Sequence, residues 1–198
     1  MKTNIVKVTI TIALATLLSS CGSGSSHSES QTQEQQQEPA PAEISATFKD
    51  ADAAVKSQLN LLFQHYIHLK NGLVASDAGM AKAGAMGILD ALNAVDTTKF
   101  TPEQKSTFVA QHESIKEDAA HISDTDDVGH QRDHFGSLSN AIYQLAKAFG
   151  SDDVLYYDFC PMAFDNKGAY WLSELKDIRN PYFGDKMLKC GTVKEIIK

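Results

Sequence analysis

The richest chemistry in this chain lies in four sulfurs near the C-terminus, in two tight pairs: Cys160-Pro161-Met162 and Met187-Leu188-Lys189-Cys190. Each pair sets a thiol and a thioether within one turn or hairpin end. Soft donors of this kind prefer Cu(I) to harder ions, and a trigonal or tetrahedral site could draw on two or three of the four. Two other uses of the same residues stand beside this one. Methionine at a strand end also serves as core filler. Cys160 and Cys190 can instead close a disulfide, which in an oxidising compartment would restrain the unfolded chain by about 3 to 4 kcal/mol in the entropy model. The two states can alternate, since an oxidised pair cannot ligate and a reduced one can. There is no Cys-x-x-Cys, so a thioredoxin-like oxidoreductase has little support.

Histidines form a second layer. His130 and His134 are spaced i, i+4 and His65 and His68 i, i+3, so on helices each pair shares a face and could hold a metal. His130 and His134 flank an apolar stripe beside Phe135 and Leu138, and His134 could assist the sulfurs. A structural Zn site built from Cys160, Cys190 and two histidines is a further arrangement. His112 falls within an apolar stripe, where a satisfied core histidine is expected, and His27 lies in a polar tether. No Gly-x-Ser-x-Gly elbow, phosphate-binding glycine loop or HExxH is present, and no carboxylate pair sits in an apolar setting that would shift a pKa. No catalytic residue is expected, and the chain does not read as an enzyme.

The elements that must position these groups read as a mainly α fold. Val55, Leu59, Leu62, Tyr66, Leu69 and Leu73 fall on one helical face, and Ala81, Ala85, Ile88, Leu92 and Val95 on a second with small residues that permit close approach. Thr101-Pro102-Glu103-Gln104 predicts a capping box with proline at the first helical position. Phe108, Ile115, Ala119 and Ile122 follow, then a turn at Asp124 to Asp127, and Val128, Gln131, Phe135, Leu138, Ile142, Leu145 and Phe149 complete a fourth stripe. Short connections favour an up-down four-helix bundle. Acidic runs at Asp124, Asp126 and Asp127 and at Asp152 and Asp153 read as caps and solvated turns. After Gly150 the texture changes: the last 49 residues hold eight of the sixteen aromatics. Val154 to Cys160, Ala169 to Leu172 and Met187 to Ile197 read as short strands or extended segments. A tail this short cannot form its own core, so it must pack on the bundle.

At the other end, Lys2 and Lys7 precede an uncharged run from Val8 to Leu18, too short to span a membrane and suited to a signal peptide over residues 1–20. Leu18-Ser19-Ser20-Cys21 resembles the lipobox of bacterial lipoproteins, which implies cleavage before Cys21 and acylation of it. The expected protein is therefore anchored to the membrane of a bacterial cell envelope and faces the periplasm. Residues 21–47 read as a polar tether, of which Gly22 to Glu43 has a reach of about 25 Å, and residues 48–198 carry the bundle and the sulfur motif. The formal charge is −7; loss of Lys2 and Lys7 leaves 16 basic against 25 acidic side chains, or −9. With no basic stripe to neutralise phosphates, nucleic-acid binding is not expected.

A resemblance adds to this reading. Tyr156-Tyr157-Asp158-Phe159-Cys160-Pro161-Met162-Ala163, Gly168-Ala169-Tyr170-Trp171-Leu172-Ser173, Ile178-Arg179-Asn180-Pro181-Tyr182-Phe183-Gly184 and Met187-Leu188-Lys189-Cys190-Gly191, with Leu69-Lys70-Asn71-Gly72-Leu73-Val74-Ala75-Ser76-Asp77 and His134-Phe135-Gly136-Ser137-Leu138-Ser139 in the helices, are similar to the domain of unknown function 3347 family. That family occurs as free-standing lipoproteins and fused to periplasmic adaptor subunits of copper and silver efflux pumps. The resemblance implies a periplasmic heavy-metal role, with Cys160, Met162, Met187 and Cys190 as the matching sulfur positions and an efflux-pump adaptor or another envelope protein as partner. The expected cargo is copper, with zinc second. The competing expectation is a disulfide-stapled envelope interaction domain without metal.

Overall fold

In the computed structural model the described residues are 40–198; the expected signal peptide, the expected lipid site at Cys21, His27 and most of the expected tether lie outside them. Four helices account for most of this region: α1 (Ala53–Ala75), α2 (Ala78–Asn93), α3 (Pro102–Ser123) and α4 (Val128–Phe149). Their ends follow the local chemistry. Asp52, Asp77 and Asp127 each cap a helix by accepting a backbone N–H, and Thr101 and Gln104 form the reciprocal capping box. Asp124 closes α3, so the acidic turn serves as paired helix ends.

Neighbouring helices run antiparallel, as the pairing of positions shows. A Cβ on Gly72 would strike Ala81, and one on Gly84 would strike Leu69, so α1 and α2 meet backbone to backbone at their small residues. Across α3 and α4, Ser114 meets Ser137 and Asp118 meets His134. Arg132 of α4 reaches the Leu73 carbonyl at the end of α1, and Ser139 meets Tyr66, which closes the bundle. The core is the expected set, including Val55, Leu59, Leu62, Leu69, Leu73, Ile88, Ile115, Phe135, Leu138 and Ile142. Gln131 is also fully buried, and its amide donates to the Ala78, Ile122 and Thr125 carbonyls, which ties the acidic turn to the start of α2.

The C-terminal region forms a four-stranded sheet of order β1-β4-β2-β3, with β1 at Ala42–Ile44, β2 at Leu155–Cys160, β3 at Ala169–Ser173 and β4 at Thr192–Ile197. Two expectations change here. Ala42–Ile44, assigned to the tether on composition, pairs parallel with Glu195–Ile197, because an edge strand needs only a free ladder and little apolar surface. Met187 to Gly191 is a turn rather than part of the last strand, which starts at Thr192. Phe48, ahead of α1, packs its ring on Phe149 at 5.2 Å. No helix among the described residues is long and apolar enough to cross a membrane.

The sheet docks through aromatic rings and one hydroxyl. The Tyr66 ring stacks on Phe135 at 5.4 Å, Phe135 meets Tyr182 at 5.6 Å, and Tyr182 meets Trp171 at 5.9 Å. The Tyr66 hydroxyl accepts the Leu172 backbone N–H at 3.0 Å and shares a 2.8 Å hydrogen bond with Ser139. Burial pushes its pKa well above the ordinary tyrosine value, so it stays neutral. Beside it lies a charged group inside the fold. Lys70, fully buried, donates to Glu174 at 2.7 Å. Asp158, also fully buried, has no hydrogen-bond partner on either oxygen. Burial raises its pKa to about 8, against the pull of Lys70. The sequence expectation concerns carboxylate pairs and does not single out this residue: Asp158 looks like an alternating strand residue, and only the docking of β2 against the bundle buries it.

Two outcomes follow from this packing. Tyr66→Phe leaves the Leu172 N–H and Ser139 without their partner and lowers the unfolding free energy by about 1–3 kcal/mol in urea titrations. An acid whose folded pKa is raised favours the folded state fully below its unfolded pKa and loses that contribution as pH rises through the folded value. Stability carried by Asp158 thus falls between about pH 4 and about pH 8, with a slope of up to about 1.4 kcal/mol per pH unit. Asp158→Asn should flatten that part of the pH–stability curve; an unchanged slope would assign the dependence elsewhere.

Candidate functional site

Strand β2 presents Asp158 and Cys160 on one face, opposite Trp171 and Ala169 of β3. Cys160 is fully buried. The chain then reverses at Pro161 and Met162 and passes through one left-handed turn in which Phe164, Asp165 and Asn166 all have φ between 50° and 66°. Aspartate and asparagine tolerate that conformation; phenylalanine is strained there by about 1–2 kcal/mol. The Phe164 ring is held in return. It fits a notch that exists because residue 136 of α4 is glycine, where a Cβ would lie 2.8 Å from the ring, and it packs edge-on to Tyr182 at 5.4 Å.

Cys190 arrives from the other side. Its N–H donates to the Met187 carbonyl at 3.0 Å, closing the turn that carries both residues. Its carbonyl accepts from the side chain of Asn180 at 2.7 Å, and the Asn180 oxygen accepts the N–H groups of Tyr182 and Phe183. One fully buried asparagine therefore fixes the whole segment from 180 to 190. Gly191, at φ +146°, lets the chain pass against Trp171, where a Cβ would lie 2.8 Å from the indole.

The two sulfurs meet as a result: Cys160 Sγ and Cys190 Sγ are 2.7 Å apart, with Cys190 half-buried. Burial, the hydrogen bond to Cys160 and its charge push the Cys190 thiol up to about 11, while the Met162 backbone N–H works the other way. At neutral pH Cys190 thus holds its proton. The thioethers are placed less uniformly. Met187 is half-buried in the Cys190 turn, and Met162 is 45% exposed beside Cys160. Met162 is therefore not core filler.

Histidines expected to join the sulfurs face elsewhere. His134 Nδ1 lies 3.1 Å from Asp118 Oδ1 on α3, and its ring stacks on His121 at 4.4 Å, with His130 at 4.9 Å. Donor atoms of His121, His130 and His134 all lie within 4.8 Å of one another, the one such group of three or more potential ligands among the described residues. His121 escaped the sequence reading because it has no partner on its own helix. A signal was nevertheless present: His121 is the third residue from the end of α3 and His130 the third residue of α4, so an antiparallel hairpin must face them. His65 is half-buried against Gly87 and His68 is exposed; their shared face gathers no third ligand. His112 is a third exposed and packs on Phe108 at 5.7 Å, so it lies at the margin of the core rather than within it.

Comparison with known proteins locates the helical part. No curated protein and no solved structure matches the chain. The model of a family described as a protein of unknown function (DUF3347) matches residues 62–153, from within α1 to just past α4, and stops before β2 and the sulfur motif. Over those residues the chain is similar to the DUF3347 family.

Proposed function

We propose that this protein is a lipid-anchored, periplasm-facing copper-binding module of a bacterial envelope, which takes up Cu(I) at Cys160 and Cys190 and buffers it or passes it to an efflux system. The observation that carries the reading is the contact between two thiols brought from segments 30 residues apart; a methionine stands two or three residues from each in the sequence. Thiolate and thioether donors select Cu(I). Exposure of Met162 matters to the hand-over, because an ion passed by ligand exchange needs a donor that a partner can replace. The N-terminal reading supplies the setting: acyl chains on Cys21 hold the protein at a membrane that its net negative charge would not bind. No nucleic-acid partner and no catalytic step enter the proposal.

A second reading rests on the same contact. Thiols this close can close a disulfide of about 2.05 Å with little movement, and the pair would then staple β2 to the turn before β4. The aromatic face would serve as a docking surface in that case. Counting thiols on unfolded protein before and after mild reductant separates the two. The copper reading expects two titratable thiols after mild reductant, whereas a pair that resists reduction supports the staple.

Competition against a Cu(I) chelator tests the metal directly. Cys160→Ser with Cys190→Ser should weaken Cu(I) binding by more than about 100-fold, since even loss of a group that only orients a ligand costs about 10–100-fold. Equal affinity in the variant would remove the sulfur pair from the account. Because the Cys190 proton must leave when the ion binds, and any proton on Cys160 with it, wild-type affinity should rise by at least about tenfold per pH unit below about pH 11. A flat profile, after correction for the chelator, would mean that the Cys190 thiolate is not a ligand.

A further inference from the structure

We infer that His121, His130 and His134 form a second metal site, distinct from the sulfur pair and suited to a divalent borderline ion such as Cu(II) or Zn(II). The helical hairpin creates it. α3 and α4 are antiparallel across a four-residue turn, and that places His121 against His130, with His134 one helical turn further from the loop on the same face. Three imidazoles from two helices so meet at the closed end of a stiff hairpin, where the Gln131 side chain binds the Ile122 and Thr125 carbonyls.

Asp118 gives the site its second feature. This carboxylate is buried and one turn before His121 on α3, and its Oδ1 lies 3.1 Å from His134 Nδ1. An ionised carboxylate only accepts, so Nδ1 of His134 carries the proton and Nε2 is left with its lone pair free. A histidine tied through one nitrogen to a carboxylate and offering the other is the arrangement that metal sites use to fix ring orientation and raise ligand basicity. The second Asp118 oxygen accepts from Ser114, whose hydroxyl also meets Ser137 of α4, so the carboxylate is itself held.

Distances leave an adjustment that the site can make. An ion bound to three nitrogens at about 2.0–2.1 Å needs them about 3.3 Å from one another, and here they lie within 4.8 Å. His121 and His130 are exposed and can rotate, while His134 is the fixed member. Imidazole sets suit Cu(II), Zn(II) and Ni(II), with Cu(II) strongest in the divalent series. Neutral nitrogens have no special claim on Cu(I), so the two sites differ in the oxidation state they favour. Net negative charge on the chain raises the local concentration of any cation.

The imidazole site is independent of the sulfur pair and is tested without it. The probe is Cu(II) or Zn(II) added to the full chain with Cys21, Cys160 and Cys190 all replaced by serine. Calorimetry with Zn(II) should show one equivalent bound, and the Cu(II) spectrum should carry nitrogen couplings from imidazole. His121→Ala should weaken binding by at least tenfold. Asp118→Asn, at a positioning residue, should weaken it by about 10–100-fold while leaving the urea midpoint of the metal-free protein in place. Where a variant unfolds, NMR of the histidine-intact chain decides. Substoichiometric Cu(II) should broaden the His121, His130 and His134 ring signals and leave His65, His68 and His112 sharp. Unchanged affinity in His121→Ala, broadening spread evenly over all histidines, or binding confined to His27 and the N-terminus would overturn the site.

Discussion

The hydroxyl of Tyr66 is the polar atom on which the two halves of the molecule depend. It lies in the core, where an unpaired hydroxyl is costly, and it is satisfied from two sides: by Ser139 of α4 and by the Leu172 N–H of β3. A bundle without the sheet would leave it half-satisfied, and a sheet without the bundle would have no core of its own. The ring series Tyr66, Phe135, Tyr182 and Trp171 adds apolar contact along the same line. A C-terminal segment too short to fold alone thereby becomes part of the interior of a larger fold.

What the docking achieves is positional. Cys160 ends a strand that cannot shift, because Trp171 and Tyr157 on either side of the ladder are buried. The left-handed turn after it is strained, and the Gly136 notch holds Phe164 in place. Asn180 supplies the opposing hold on Cys190. Two thiols far apart in sequence are in contact because three separate restraints, on the strand, the turn and the loop, meet there. The imidazole cluster is held by a different and more local device, one helical hairpin. The molecule therefore carries soft and borderline donors on separate elements.

Helices and their caps were legible because helical period and cap chemistry are local. The stripe from Val55 to Leu73, the Thr101 capping box and the Asp127 cap all stand where the residues put them. Strands β2 and β3 were legible to within a residue, but β1 was not, because pairing with β4 is decided by a distant ladder rather than by Ala42–Ile44 themselves. The same limit applies to the site. Residue types suggest that Cys160 and Cys190 pair, but their contact depends on the Asn180 loop meeting the end of β2, which no local pattern encodes. The partner of His134 is likewise tertiary: the hairpin brings its ring to Asp118. His121 needed the hairpin register, and the buried Asp158 and Lys70 needed the docked sheet; both are tertiary facts.

The central claim is that the sulfur pair is the Cu(I) site and the histidines are not. X-ray absorption at the copper edge, on reduced protein loaded with one equivalent of Cu(I), measures the donor set itself. The account predicts coordination by sulfur alone, from the two cysteines with or without a methionine. A coordination sphere dominated by nitrogen, with the imidazoles holding the Cu(I), would contradict it.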